Sequence, residues 1–408
     1  MIKVLAQSWP LLLGVMLLMV GNGVQGSLLG IRGAYEQFST FELSIVMSAY
    51  FLGFLGGSRM APEMIRRVGH VRVFSALGSM ISAVLILYPL LLDWQAWALM
   101  RVLIGFCFSG IYVTAESWLN NTATNETRGQ ALSAYMIVQM LGIIASQGLL
   151  SLGDPYGYEL FIIPSVLVSL AFMPILLADT PAPTFDSIKA MSFRQLFRIS
   201  PLGCAGMLLT GGVFSAMFGM ASVYGAMSAM TIGQIASFVA AMYVGGLLLQ
   251  YPIGWLSDRI DRRALILWMS AAGALVMGAA TVLPLPFYFE LLVAMLLGGI
   301  INPLYSLLIA HTNDYLSKEE MPAASAGLIF LNGFGAIFGP LVAGWLMQQM
   351  GAKGYFVIIG VFFAGLAVYA AYRMTRRAAP AMTGSYAGLT PTASSLAVGA
   401  VLDNEPRR

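Results

Sequence analysis

The sequence contains few charged residues. Only 10% of its 408 residues are Asp, Glu, Lys or Arg, whereas an ordinary soluble domain carries roughly a quarter. It contains two cysteines, two histidines and no G-x-x-x-x-G-K-[ST] phosphate-binding pattern. These scarcities exclude a soluble enzyme, a disordered chain, a nucleic-acid-binding module, a disulfide framework and a Cys-rich metal site. We therefore expect no enzymatic activity, no cofactor, no bound metal and no nucleic-acid partner.

Apolar residues, by contrast, make up 59% of the chain, and the mean hydropathy is +0.81. They fall into runs of about 20 residues, the length of helix that spans a bilayer core. Backbone groups find no hydrogen-bond partner in lipid, so each span must be a helix. The pattern predicts an all-α membrane protein with twelve spans, at 9–31, 40–60, 73–92, 97–119, 130–152, 160–177, 202–223, 232–256, 264–283, 287–310, 323–347 and 355–373.

Lysine and arginine are distributed unevenly about these spans. Of the 21 basic residues, all but Arg32, Arg101 and Lys353 fall on the side of the N-terminus. The positive-inside rule then predicts both termini in the cytoplasm. We expect an N-terminal six-helix bundle (1–178), a cytoplasmic linker with a short interfacial helix around Arg194 (179–201), a C-terminal six-helix bundle (202–374) and a disordered tail (375–408).

The two halves repeat. The first and seventh spans match at an offset of 189, Arg67 matches Arg259 at 192, and the stretches from Asn120 and Asn313 match at 193. Internal repeats are typical of transporters, because two similar bundles can rock about a site between them and open it to one side at a time. The repeat therefore favours alternating access over a continuously open pore.

The loop after the eighth span reads GWLSDRIDRR over residues 254–263. It resembles the signature loop G-x-L-x-D-R-x-G-R-R of the major facilitator superfamily, with Asp261 at the second glycine. A carboxylate at a helix end can pair with arginines and with a facing helix N-terminus, so the loop could latch the cytoplasmic face; an ordinary basic loop is the alternative. The expected gate residues are Gly254, Asp258, Arg259, Arg262, Arg263 and Arg128. In the matching loop of the first half, Arg66 replaces the aspartate, and Glu63 could substitute.

The fourth span is also similar to that family, with Arg101, Gly105 and then Arg128-Gly129. Arg101, Gly105, Phe108, Tyr112 and Glu116 form one helical stripe, which should face the bundle interior because lipid exposure of Arg or Glu costs ~2.5 kcal/mol or more. Arg101 could instead extend to the outer surface, and Glu116 could be a structural partner of the latch. The resemblance implies two pseudo-symmetric six-helix bundles and secondary active transport across a bacterial inner membrane.

Polar side chains deep in the spans are few, and they supply the candidate binding site. Amides and phenols both donate and accept hydrogen bonds, although bonds between helices could also explain them. The candidates for substrate binding are Asn22, Gln25, Arg101, Tyr112, Gln139, Tyr243, Gln250, Asn302, Tyr305 and Asn332. Proton coupling needs a carboxylate that titrates when desolvated, for which we expect Glu116 first and Glu290 second. Phe51, Phe108, Phe214 and Phe334 could stack on a flat ligand.

These features predict a monomer that takes up a small, moderately polar organic metabolite together with protons, and a heteroaromatic solute is one specific candidate. The fifth span lacks the G-P pattern of the family's antiporters, which favours uptake over efflux. The alternatives are a multidrug or metabolite proton antiporter, and a membrane assembly factor or sensor that has the fold without the flux.

Overall fold

The computed structural model describes residues 2–122, 127–177, 191–284, 286–317, 320–377, 386 and 388, and in these residues the backbone forms helices and no strand. In chain order the helices are α1 (Ile2–Tyr35), α2 (Thr40–Val68), α3 (His70–Leu87), α4 (Trp94–Thr122), α5 (Arg128–Leu152), α6 (Glu159–Ala171), α7 (Met173–Leu176), α8 (Phe193–Ile199), α9 (Pro201–Met227), α10 (Ile232–Ser257), α11 (Arg262–Val282), α12 (Phe287–Asn313), α13 (Met321–Met350) and α14 (Gly354–Arg376).

Twelve segments are long and apolar enough to cross a membrane, in the predicted order. The sixth consists of α6 and α7, which are separated at Phe172 just before Pro174. Helix α3 ends at Leu87 rather than at the predicted residue 92, because Pro89 follows and cannot continue a helix. Helix α2 instead runs past the predicted residue 60 to Val68. The basic residues of its last turn mark the end of the part that can lie in hydrocarbon, but the helix itself continues beyond that point.

The helices pack as two groups of six spans, which we call the N-half (α1–α7) and the C-half (α9–α14). In the N-half α2 packs on α4, and α1 on α5 and α6; in the C-half α10 packs on α12, and α9 on α13. Across the halves α2 meets α13, α5 meets α10 and α1 meets α9. This arrangement confirms the predicted fold class. Helix α8 lies where a short helix around Arg194 was expected, whereas most of the predicted linker and tail lies outside the described residues.

The repeat is visible in how each half begins its second spanning helix. Ser39 caps α2 in a capping box with Glu42, and Thr231 caps α10 in a capping box with Gln234. In both, the cap side chain accepts from the third backbone N–H, and the third side chain accepts from the cap N–H. Both residues of the first box precede their counterparts by the same offset of 192, so the same local signal starts the same element twice.

The turns before these caps extend the equivalence. Gln37 and Ala229, which are related by the same offset, both adopt the left-handed backbone conformation, with φ of 62° and 54°. Because α1 and α9 run into these turns without a break, the offset of 192 also applies to their last turns and replaces the predicted offset of 189. Gly30 therefore corresponds to Ser222 rather than to Gly219. These two residues face each other where α1 meets α9, since a Cβ on Gly30 would overlap the Ser222 side chain.

Paired glycines allow a close helix crossing in each half. A Cβ on Gly53 or Gly105 would overlap a carbonyl oxygen of the facing helix, where α2 crosses α4. Gly245 and Gly298 stand in the same relation where α10 crosses α12. The second pair follows the first at offsets of 192 and 193, which are those of the repeat. The absence of a side chain lets these backbones approach closely, as at other small-residue crossings in membranes.

Direct contacts between α2 and α13 join the halves at one end of the molecule. We call the end that carries α8 the linker side, and the end that carries Arg32 and Lys353 the loop side. On the loop side, Ser48 of α2 donates to the carbonyl oxygen of Ile337 on α13, and a Cβ on Gly344 would overlap Ser44. These contacts close the gap between α2 and α13 on this side.

Candidate functional site

A cavity of about 550 Å³ lies between the halves and is lined by residues of α1, α2, α4 and α5 and of α9, α10, α12 and α13. This volume is within the range of small-molecule sites. Among the described residues that line it, the exposed ones are Arg59 and Phe193, both at the linker side. The cavity is therefore open toward the linker side and closed toward the loop side.

Most of the polar residues proposed as substrate ligands do line this cavity. Gln139 on α5 and Asn332 on α13, which are partners in the repeat, contribute to it from opposite halves. Asn332 also donates to the Met207 carbonyl oxygen at 3.1 Å, and Asn302 donates to the Gly298 carbonyl oxygen at 3.0 Å. The predicted residues that line the cavity are Asn22, Arg101, Tyr112, Gln139, Tyr243, Asn302 and Asn332. Their role as ligands stays a prediction.

Three proposed ligands do not line the cavity, which corrects the predicted lining. Gln25 lies behind Arg101 and is 1% exposed. Gln250 lies on the linker-side part of α10 and donates to Ser306 at 3.1 Å. Tyr305 is fully buried between helices. Helical periodicity gives the residues that share a face, but the rotation of that face toward a cavity or a neighbouring helix depends on tertiary packing.

Arg101 is the charged residue at the closed end of the cavity. It is 5% exposed, and its Nη1 donates to the Gln25 side-chain oxygen at 2.9 Å. Its Nη2 lies 3.7 Å from the Met47 sulfur, and its guanidinium lies 4.7 Å from the centre of the Tyr50 ring. Gln25 in turn donates to the Tyr88 hydroxyl at 3.0 Å, which fixes the orientation of its amide. Arg101 therefore faces the interior, and the alternative of an outer-surface position is wrong.

Aromatic side chains form much of the cavity wall. Phe218 and Tyr243 have ring centres 4.4 Å apart, and Phe214 packs edge-on against Phe218 at 4.7 Å. On the facing half, Phe54 lies 6.0 Å from Tyr112. Of the aromatic residues proposed from the sequence, Phe51 and Phe214 line the cavity, whereas Phe108 is buried away from it and Phe334 is exposed.

The sequence prediction missed several lining residues that share a helix face. Tyr50, Phe54, Ser58 and Pro62 recur every four positions along α2, and all four line the cavity. This i, i+4 spacing on a span with a polar residue among aromatic ones was a usable signal. Arg59, whose guanidinium lies 4.3 Å from the centre of the Phe330 ring of the C-half, carried no such signal, because it looks like an ordinary basic residue at a helix end.

Glu116 is fully buried one turn beyond Tyr112 on α4. Its carboxylate is within electrostatic range of Tyr112 and Tyr135 of the N-half and of Tyr305 of the C-half. Tyr112 lines the cavity, and Tyr135 interacts with the cavity residue Gln139. Glu116 is therefore linked electrostatically both to the cavity wall of its own half and to Tyr305 of the C-half. The other proposed proton carrier, Glu290, accepts from Tyr224 at 3.1 Å within the C-half and does not line the cavity.

The signature loop holds a buried ion pair. Arg262 Nη1 lies 2.6 Å from the Asp314 carboxylate, and both side chains are nearly inaccessible. The aspartate of the signature, Asp258, is more distant from Arg262, at 3.4 Å, and 40% exposed. Asp258 also accepts from the backbone N–H of Tyr386, whose ring packs against Gly254. The principal acid of this cluster is therefore Asp314, which the sequence pattern did not indicate.

Two neighbouring arginines complete the cluster. Arg263 lies 2.6 Å from Asp261 and donates to the Arg377 carbonyl oxygen. Hydrogen bonds from Arg263 lower the pKa of Asp261 below its ordinary value, because they stabilise the ionised carboxylate. Arg259 stacks over Trp255 at 3.8 Å. These contacts hold the loop against its own half, and the latch role of these residues stays a prediction; the Arg128 side chain lies outside the described residues.

Replacing Asp314 by asparagine is expected to destabilise the fold far more than replacing Asp258 by asparagine. The first change leaves Arg262 buried without its nearest counter-charge, which costs roughly 3–5 kcal/mol, whereas an exposed pair contributes ~0–1 kcal/mol. Thermal denaturation of the two variants in the same detergent measures the difference. Equal melting temperatures would show that Asp258 neutralises Arg262 as effectively as Asp314 does.

The corresponding loop of the N-half is built differently. Glu63 pairs with Arg66 and Arg67 at 2.7 and 2.6 Å, and all three side chains are exposed. Glu63 thus supplies an acid, but only to arginines of its own helix. Within the side chains that the structure describes, no three His, Cys, Asp or Glu residues lie close enough together to hold a metal ion.

Comparison with known proteins places this architecture in a family. The family model of the Major Facilitator Superfamily matches residues 11–233 and 213–404. An MFS-type transporter of Yersinia pestis (strain Pestoides F) is 27% identical over 376 residues, covering 88% of this chain and 95% of that protein. The MFS-type transporter YcaD of Escherichia fergusonii is 24% identical over 354 residues, covering 86% and 91%.

Two solved structures have the same fold. A mutant of the nucleoside transporter NupG superposes with a TM-score of 0.72 at 16% identity, covering 90% of this chain and 99% of that one. A bacterial homologue of the human lysosomal transporter Spinster, inward-facing and occupied, gives 0.71 at 13% identity, covering 90% and 96%. The twelve spans, the repeat and the family match agree, and the chain belongs to the major facilitator superfamily.

Proposed function

We propose that this protein takes up a small organic metabolite across the bacterial inner membrane by alternating access, driven by protons. The observation that carries the proposal is the single-sided opening of the central cavity. The cavity is lined by both halves, closed by direct helix contacts on the loop side and accessible on the linker side. A rocking motion of the halves would reverse which side is closed.

The linker side is proposed to be cytoplasmic. Among the described residues, it carries nearly all lysines and arginines, and the loop side carries Arg32 and Lys353. By the positive-inside rule this arrangement corresponds to an inward-open state with cytoplasmic termini. A solute bound in the cavity would leave toward the cytoplasm from this state, as the last step of uptake requires.

Glu116 is the proposed proton carrier. It is fully buried, and its interactions extend to Tyr112 and Gln139 on the cavity and to Tyr305 of the other half. Adding or removing a proton at this carboxylate would change both the cavity wall and the contact between the halves. Coupling requires this double connection, because protonation and solute binding must shift the same equilibrium between the inward-open and outward-open conformations. Glu290 lacks a connection to the cavity.

Filling the cavity is expected to abolish transport without loss of folding. Gly26 lines the cavity, and a Cβ built on it meets no atom within 4 Å, so Gly26→Phe places a ring in the solute space. Gly148 also has open space but is exposed on α5 away from the cavity, which makes Gly148→Phe the matched control. Uptake of a defined mixture of organic acids, nucleosides and vitamins into proteoliposomes, driven by a pH gradient and measured by mass spectrometry, tests both.

We expect uptake of at least one compound by the wild type and by Gly148→Phe, and background uptake by Gly26→Phe at an unchanged melting temperature. Equal uptake in the two variants would contradict passage through this cavity. Broad uptake or release of unrelated lipophilic cations would instead favour a multidrug antiporter. A stable protein partner in purification, with no flux of any compound, would favour an assembly factor or sensor.

A further inference from the structure

The charged side chains that line the cavity in the described part of the chain are all positive. Among the described residues that line it, two carry a positive charge, Arg101 at the closed end and Arg59 at the linker-side mouth, and none carries a carboxylate. Glu116 lies outside this lining. A cavity with cationic ends and low-dielectric aromatic walls attracts anions and disfavours cations. The wall therefore discriminates between solutes by the sign of their charge.

Arg101 has unused capacity for an anion. A guanidinium has five N–H donors, and the contacts of Arg101 are a neutral amide oxygen, a thioether sulfur and the face of the Tyr50 ring. Its Nε has no hydrogen-bond acceptor among the described residues. Arginines within membrane spans normally pair with an acid, because a buried charge without a counter-charge is costly. The missing counter-charge is the strongest indication of what the cavity binds.

The position of Arg101 is fixed before any ligand arrives. Gln25 accepts from its Nη1 and is itself held by the Tyr88 hydroxyl, and the Tyr50 ring covers the guanidinium. A positioned guanidinium can bind both oxygens of a carboxylate in its fork, which a lysine cannot reproduce. Gln25 is thus a positioning residue for Arg101. This role explains why a buried position behind Arg101, outside the cavity wall, carries a polar side chain.

The rest of the wall suits the body of the solute. Phe214, Phe218 and Tyr243 form a continuous aromatic surface on the C-half, and Phe54 faces it from the N-half. We propose, on the basis of the proposed transport function, that the solute is an aromatic organic anion whose carboxylate binds Arg101 while its ring packs between these side chains. The same charge distribution disfavours the lipophilic cations that multidrug antiporters carry.

Binding to the purified full-length protein tests this assignment without requiring flux. The probes are benzoate, phenylacetate and naphthoate, each compared with the amide and the amine that share its ring, and with uridine and adenosine as neutral heteroaromatic compounds. We expect saturable thermal stabilisation by at least one carboxylate and none by its amide or amine. Arg101→Gln should weaken that binding by at least about tenfold, and Arg101→Lys by less.

Arg72→Gln is the matched control, because it removes the same charge from an exposed position on α3 outside the cavity and should bind the carboxylate as the wild type does. Should Arg101→Gln fail to fold, the comparison of acid, amide and amine on the wild type decides alone. The proposal is overturned if no carboxylate of the panel binds, if the amide, amine or nucleoside binds as tightly, or if Arg101→Gln leaves carboxylate binding unchanged. Transport of a neutral solute would refute the proposal that the solute is an anion, but not the proposed transport function. A carboxylate that binds but is never transported into proteoliposomes would refute the transport function, but not the carboxylate site at Arg101.

Discussion

Replacing Glu116 by glutamine is expected to leave the protein folded and able to exchange solute, but to abolish accumulation driven by a pH gradient. Glutamine has nearly the same shape and can still hydrogen-bond, but it cannot take up or release a proton. Coupled to one proton, a gradient of about one pH unit corresponds to ~1.4 kcal/mol and supports roughly tenfold accumulation. The wild type should approach that ratio in proteoliposomes, and Glu116→Gln should stop at equal concentrations.

The position of Glu116 is the reason to expect so large an effect. The residue is fully buried, and its electrostatic partners belong to both halves, with Tyr112 lining the cavity and Tyr305 on the facing bundle. For an anionic solute the same proton has a second consequence. One proton moving with one negative charge transfers no net charge, so the membrane potential, about 2.3 kcal/mol per charge at about 100 mV, would not oppose uptake.

Glu290→Gln is the control for Glu116→Gln. Glu290 was the second candidate, but it bonds to Tyr224 inside the C-half and is separate from the cavity wall, so this variant should accumulate solute like the wild type. The measurement is internal solute concentration with and without an imposed pH gradient, together with exchange at equal pH. Coupling that survives in Glu116→Gln and disappears in Glu290→Gln would move the proton site to the loop-side part of the C-half.

Much of the fold could be predicted because the bilayer imposes simple rules on sequence. The length of the apolar runs was enough to locate the twelve spans. Helix ends were less predictable, as α2 shows by continuing through Pro62 to Val68. The repeat was detectable, but its register in α1 was wrong by three residues. Small residues recur often in apolar helices, whereas the capping boxes at Ser39 and Thr231, with the turns just before them, give the register at the ends of α1 and α9.

The cavity was predictable only in part. Polar residues in a span face the interior, which is why Asn22, Gln139 and Asn332 were found from sequence. The same reasoning could not separate Gln25, which orients Arg101, from a residue that faces the solute, because both are buried and polar. Nor could it show which end of the cavity is closed, since closure depends on contacts between residues in different halves, such as that of Ser48 with Ile337.

Introducing a branched side chain at the paired glycines is expected to prevent folding or to lower the melting temperature strongly. In Gly105→Val the new Cβ overlaps the Tyr50 carbonyl oxygen, and in Gly298→Val it overlaps the Met242 carbonyl oxygen. Both obstacles are backbone atoms, which no rotamer change can move aside. Overpacking commonly costs about 1–3 kcal/mol, and a clash with a facing helix backbone belongs at or above the upper end.

Gly278→Val is the matched control, since Gly278 is exposed on α11 and a Cβ there meets no atom within 4 Å. Yield of monodisperse protein and thermal denaturation in detergent measure the effect, and the control should resemble the wild type. The repeat makes the expectation stricter, because Gly105 and Gly298 are equivalent positions in the two halves and should respond alike. A variant at one crossing that folds normally while the other fails would mean that the two paired-glycine crossings, although built on one pattern, contribute unequally to stability.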